Sequence, residues 1–117
     1  MPRNVPGELY TRISNQEADE MMKAGDSVII DVRDEGEYQG GHVKGATWMP
    51  WTEVIERFDE LPAEGNLLFI CEIGARSGVA AESAAAMGAN VDRLFNVEEG
   101  TSTWINHGLP YSTGDEK

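Results

Sequence analysis

Apolar residues along this chain fall into short blocks of two rhythms, and the rhythms alternate. Val28 to Val32 and Leu67 to Ile70 are near-continuous and rich in branched or aromatic residues, the pattern of strands covered on both faces. A shorter alternating segment at Leu9 to Ile13, a block at Ala46 to Met49 before Pro50, and an apolar run at Arg93 to Val97 predict three more strands. Helical signals lie between them. Ser14-Asn15-Gln16-Glu17 is a capping box, predicting a helix through Lys23 that stops at Gly25. Asp34 to Gln39 reads as a short helix closed by Gly40-Gly41. Thr52 reads as the N-cap of a helix whose apolar positions Val54, Ile55, Phe58 and Leu61 follow helical spacing up to Pro62. Ser77 to Met87 is a small-residue helix ending at Gly88. Trp104 and Ile105 predict a last short helix before Gly108 and Pro110.

Strands alternating with helices at this spacing imply an α/β fold, with a mostly parallel central sheet and helices on both faces. In open sheets of this kind, sites form at the carboxyl ends of strands. Two segments fall there: Asp31-Val32-Arg33 and Cys71 with the residues that follow it. The 117 residues suit one domain, 1–117, with ends expected to fray at about 1–7 and 112–117, where proline, glycine and polar residues collect.

Charge and cysteine count narrow the chemistry. A formal net charge of -12 disfavours nucleic acid and anionic membranes as partners. It is read first as a solvated surface, with a basic protein partner or a salt-rich habitat as the alternatives. One cysteine leaves no internal disulfide and no multi-cysteine zinc site. No dinucleotide or phosphate-loop pattern and no ligand cluster is present, so no cofactor and no metal are expected. Without a leader-like or membrane-length apolar segment, the expected location is the cytoplasm, where a thiol stays reduced.

That cysteine, Cys71, ends a buried strand and opens a tight turn, Cys71-Glu72-Ile73-Gly74-Ala75-Arg76-Ser77, leading into a helix. Turn amides and the unpaired first N–H groups of the helix would point at the sulfur and favour the thiolate. Cys71 is therefore the candidate nucleophile; the competing reading is a small apolar residue at a strand end.

Taken together, the residues resemble the rhodanese family of single-domain sulfurtransferases. The resemblance runs from about Ile13 to Tyr111. It rests on Ile30-Asp31-Val32-Arg33 continuing through Glu37-Tyr38 to Gly41-His42-Val43-Lys44-Gly45-Ala46 and Pro50, on the Cys71 to Ser77 loop, and on Gly100 with Trp104, Gly108 and Pro110. It implies a rhodanese-like fold and a two-step reaction through a Cys71 persulfide. The sulfane sulfur would come from thiosulfate or from a protein or small-molecule persulfide, and would pass to a thiol or cyanide. Backbone amides of Glu72, Ile73, Gly74, Ala75, Arg76 and Ser77 would cradle the anionic sulfur. Arg76 either binds a donor's sulfonate and lowers the thiol pKa, or forms a structural salt bridge beneath the loop. Ser77 is expected at an N-cap or in the first turn, with its hydroxyl near the persulfide. Asp31, Arg33 and His42 are expected to support the loop and its neighbouring turn rather than to react.

Two positions depart from the family pattern. Glu99-Gly100 stands where a glycine pair is frequent, and Glu72 puts a carboxylate directly after the nucleophile, where it would repel anionic donors if turned inward. Two rival functions follow from the residues. A cysteine phosphatase would use Cys-x5-Arg, one residue longer than the Cys71 to Arg76 spacing here. A non-catalytic binding or sulfur-carrier module is suggested by Glu72 and the acidic surface.

Overall fold

The buried runs lie side by side in the computed structural model, which describes residues 1–117. In chain order the elements are β1 (Thr11–Ile13), α1 (Asn15–Ala24), β2 (Ser27–Asp31), α2 (Glu35–Gly40), β3 (His42–Val43), β4 (Thr47–Trp48), β5 (Asn66–Ile70), α3 (Ala75–Ala86), β6 (Leu94–Val97), α4 (Gly100–Asn106) and β7 (Tyr111–Ser112). Five strands form one all-parallel sheet in the order β1-β6-β5-β2-β4. Strand β5 is central, pairing Asp31 with Ile70 on one side and Val97 with Ile70 on the other. The strand that delivers Cys71 is thus held along both edges.

Period-2 alternation splits each buried run between two cores. Ile30, Leu67, Phe69 and Leu94 face Ala80, Ala81 and Ala84 of α3. Ile29, Leu68, Ile70 and Val97 face the other way, toward Ala18 of α1, Tyr38 of α2 and Trp104 of α4. Small residues on α3 let that helix sit close to the sheet. Each Leu, Ile or Phe fully withdrawn from water in these layers contributes about 1.5–3 kcal/mol.

The local signals at α1 form as expected. Ser14 Oγ accepts the Glu17 N–H at 3.1 Å, the Glu17 carboxylate accepts the Ser14 N–H at 2.7 Å, and Gly25 closes the helix at φ +93°. Other expectations need correction. The helix expected from Thr52 is two separate 3-10 turns, Trp51–Glu53 and Phe58–Glu60. Val54 and Leu61 are buried while Ile55 is 53% exposed, so the apolar spacing does not define one buried helical face. Helix α3 starts at Ala75, two residues before the expected Ser77, and is capped by Gly74; Ser77 lies in its first turn, one of the two places expected for it.

Both ends make contacts with the rest of the domain. Strand β7 pairs antiparallel with β3, and Gly114 N–H donates to the Gln39 carbonyl at 2.7 Å. At the other end Arg3 and Arg12 exchange backbone hydrogen bonds at 2.8 and 2.9 Å, and the terminal ammonium lies 3.0 Å from Glu17. No helix is long and apolar enough to cross a membrane.

Candidate active site

Cys71 follows β5, and strand alternation turns its side chain to the α3 side of the sheet. The chain then folds back over the sulfur. Gly74 N–H donates to Sγ at 3.2 Å and Ser77 N–H at 3.4 Å, with Ser77 Oγ 3.3 Å away. Gly74 takes φ +87°, and a Cβ there would stand 3.1 Å from the Glu98 carbonyl oxygen, so glycine is needed both for the turn and for its neighbour. Cys71 is 1% exposed. Burial is the largest influence on its thiol and pushes the pKa up; the Ser77 hydroxyl and the amides of Ser77, Ile73 and Gly74 together outweigh it, leaving the pKa below the ordinary thiol value.

The loop is anchored from α4. Thr101 N–H donates to the Cys71 carbonyl at 2.9 Å, and the Thr101 hydroxyl donates to the same oxygen at 3.3 Å. Gly100, at φ +85°, lays its bare Cα against the loop backbone: a Cβ would stand 1.9 Å from the Glu72 carbonyl oxygen. Glu99, in place of the frequent first glycine, accepts the Asn15 N–H at 2.7 Å and so ties α4 to α1.

Arg33 sits beneath this loop, 4% exposed. Its Nε and Nη2 grip the Asp31 carboxylate at 3.0 and 2.7 Å, Nη2 also donates to the Gly41 carbonyl at 2.7 Å, and Nη1 reaches Glu72 Oε1 at 2.7 Å. Burial lowers the guanidinium pKa, but Asp31 and Glu72 more than compensate, and the net shift is upward. The second Glu72 oxygen accepts the Ser102 hydroxyl at 2.5 Å. Both oxygens of that carboxylate thus have partners on β2's end and on α4, and neither hydrogen-bonds the cradle around Sγ.

Arg76 makes a forked pair with Glu37 of α2, at 2.8 and 3.0 Å. The guanidinium holds the Glu37 carboxyl down to about 2, despite partial burial. This pair is the salt bridge open to Arg76 in the sequence. His42 stacks on Tyr38 with ring centroids 3.7 Å apart, and its nitrogens meet the carbonyls of Tyr38, at 2.7 Å, and Glu116. It makes no hydrogen bond to Cys71 and braces the α2–β3 turn and the tail.

Three residues at the site are not apparent from the sequence reading: Glu37, Thr101 and Asn96. Asn96 carried a readable signal, a polar side chain inside the otherwise apolar run of β6. Its Oδ1 accepts the Ser77 hydroxyl at 2.6 Å and its Nδ2 donates to the Gly74 carbonyl at 3.0 Å. No group of three or more His, Cys, Asp or Glu is arranged to hold a metal ion.

A buried cysteine at the carboxyl edge of a parallel α/β sheet, with amides converging on its sulfur, defines an α/β protein with an amide-lined cysteine loop. The model of the Rhodanese-like domain matches residues 14–107, and the chain belongs to that family. It is 32% identical over 114 residues to the HTH-type transcriptional regulator Rv0324 of Mycobacterium tuberculosis, covering 95% of this chain but only 49% of that protein. It is 29% identical over 99 residues to the thiosulfate sulfurtransferase GlpE of Coxiella burnetii, covering 85% and 91% of the two chains. Among solved structures it matches rhodanese with anions from E. coli at a TM-score of 0.64 and 30% identity, over 75% of this chain and 99% of the other. The chain spans about half the length of the first of these relatives and most of the second.

Proposed function

We propose that the protein is a sulfurtransferase that carries sulfane sulfur on Cys71. The Cys71 thiolate attacks the outer sulfur of a donor; the donor's S–S bond breaks, and its electron pair leaves on sulfite or on the donor thiolate. An acceptor thiolate or cyanide then attacks the outer sulfur of the Cys71 persulfide and restores the cysteine thiolate. The observation that carries this reading is the convergence of the Gly74 and Ser77 amides and the Ser77 hydroxyl on Sγ. Those groups hold negative charge on sulfur before and after the first transfer. A free thiol of this kind suits a reducing, cytoplasmic setting.

Charge ranks the donors. The two guanidinium groups nearest the loop are taken, Arg76 by Glu37 and Arg33 by Asp31 and Glu72, so a thiosulfate dianion meets carboxylates and no unpaired arginine. A persulfide on a small thiol or on a protein is the better donor. Thiocyanate formation from cysteamine persulfide, whose ammonium offsets the persulfide charge, is expected to exceed that from the thiosulfate dianion in kcat/KM by about tenfold or more, a difference of about 1.4 kcal/mol. Thiosulfate turnover equal to or faster than persulfide turnover would contradict the ranking.

A second reading, a sulfur carrier or sensor that loads but does not turn over, draws on the match to one half of a transcriptional regulator. Persulfide formation on Cys71 without transfer to any thiol or cyanide would favour it.

A further inference from the structure

Asn96 is 1% exposed and points into the space between β6 and α3. Its Nδ2 donates to the Gly74 carbonyl. The Tyr10 hydroxyl, which donates to Glu8 at 3.0 Å, crowds the same corner: a Cβ on Gly78 would stand 2.8 Å from that hydroxyl and 3.3 Å from Nδ2. An amide turned the other way would set its oxygen against the Gly74 carbonyl oxygen, two acceptors face to face, so the network fixes the orientation. Oδ1 therefore faces Ser77, and the Ser77 hydroxyl donates to it at 2.6 Å.

A serine hydroxyl has one hydrogen to give. While that hydrogen lies on Asn96, Ser77 Oγ offers only lone pairs to the sulfur 3.3 Å away, and the contact is the thiol S–H donating to Oγ. That one contact stabilises the thiol and opposes the Gly74 and Ser77 amides, which favour the thiolate. A thiolate or persulfide anion needs the same hydrogen on sulfur.

We propose that Asn96 and the Cys71 sulfur compete for the single hydroxyl hydrogen of Ser77, so that Asn96 sets how readily Cys71 ionises. On ionisation the thiol proton passes to solvent, the hydroxyl turns about its Cβ–Oγ bond, and it donates to the sulfur anion. Only the S–H bond breaks, and no proton passes through the amide. Asn96 is thus a positioning residue acting through Ser77, and its bearing on sulfur transfer rests on the reading of Cys71 as the sulfur carrier.

The charged groups around the cradle are already engaged. Arg76 of α3 is paired with Glu37, Glu72 with Arg33 and Ser102, Glu98 beyond β6 with Arg3 and Arg12, and Glu8 with Arg12 and Tyr10. Ser77 supplies the one side-chain hydrogen bond on Sγ.

The test is the rate of iodoacetamide alkylation across pH, unambiguous because the chain has a single cysteine. Asn96→Leu frees the Ser77 hydrogen and is expected to lower the alkylation midpoint by about half a unit to one unit, the size of one net hydrogen bond. In a Ser77→Ala background the same substitution is expected to produce no fall. Asn96→Asp, nearly the same shape with a stronger acceptor, is expected to raise the midpoint, and to raise it less without Ser77. Three results overturn the proposal: a midpoint unmoved or raised in folded Asn96→Leu, an equal fall without Ser77, or an unmoved or lowered midpoint in Asn96→Asp. If the Leu variant does not fold, Asn96→Asp decides the matter by its rise with and without Ser77: an equal rise in both backgrounds, the effect of the added charge alone, also overturns the proposal. Failure of the wild-type protein to take up sulfur would overturn the sulfurtransferase reading while leaving these midpoints as measured.

Discussion

Gly100→Ala is expected to destabilise the protein by about 3 kcal/mol or more, the cost of positive φ for an L residue added to a clash with backbone. It is also expected to slow alkylation of Cys71. The added Cβ would lie 1.9 Å from the Glu72 carbonyl oxygen and 3.0 Å from that of Cys71. No flexible side chain is there to yield. Relief requires α4 to move off the loop, which breaks the Thr101 N–H bond to the Cys71 carbonyl and disturbs the peptide whose amides hold the sulfur. Gly88 supplies the control, since it has φ +99° with nothing within 4 Å of a Cβ. Gly88→Ala should cost only the backbone term, about 1–2 kcal/mol. Equal urea midpoints for the two variants would show that the approach of α4 to the loop carries no special weight.

The second large effect is expected from Arg33. Asp31 is fully buried, and its carboxylate is held by the Arg33 side chain and the Arg33 N–H. Arg33→Met removes the guanidinium, strands the Asp31 charge, and releases both the Gly41 carbonyl and Glu72. Removing one partner of a buried pair costs about 3–5 kcal/mol, a large share of the roughly 5–15 kcal/mol that hold a domain of this size. Because much of that cost is the stranded charge, Asp31→Asn combined with Arg33→Met should be more stable than Arg33→Met alone. Urea denaturation decides this. Additive losses, or a loss below about 1 kcal/mol for Arg33→Met, would mean that water or another group already compensates Asp31.

What could be read from the sequence was local, or repeated along one run. The capping box of Ser14 and Glu17 is complete within four residues, so it is visible without tertiary knowledge. The double-faced character of β2 and β5 is written in Val28 to Val32 and Leu67 to Ile70, where Ile29, Ile30, Val32 and all four residues of the second run are buried in one core or the other and Val28 packs against one of them. The segment after Thr52 was not legible, because the same apolar spacing serves two 3-10 turns, and which side chains are buried is decided by how the segment packs on the core it shares with α3. Arg57 bridges the turns, pairing with Glu53 and Glu60 at 3.0 and 2.9 Å. The two-residue pairing of β3 with β7 joins positions about seventy apart and leaves almost no pattern in either.

The site divides in the same way. Cys71 at a strand-to-helix turn and the need for glycine at position 74 follow from the order of residues. The partner of Arg76 does not, since Glu37 lies 39 positions away on α2. The direction of Glu72 was likewise out of reach, because it depends on Arg33 and Ser102 arriving from two other elements. Asn96 is an amide inside the apolar run of β6, a signal the sequence analysis passes over, and its purpose needed the positions of Ser77 and Gly74.

The central claim is that Cys71 carries transferable sulfur. The most direct measurement is the intact mass of the reduced protein after exposure to thiosulfate and, separately, to a persulfide donor, beside a Cys71→Ser control. A gain of one sulfur atom is expected, larger with the persulfide donor, removed by cyanide or a thiol, and absent from Cys71→Ser. No gain from either donor, in folded protein with a titratable thiol, would contradict it.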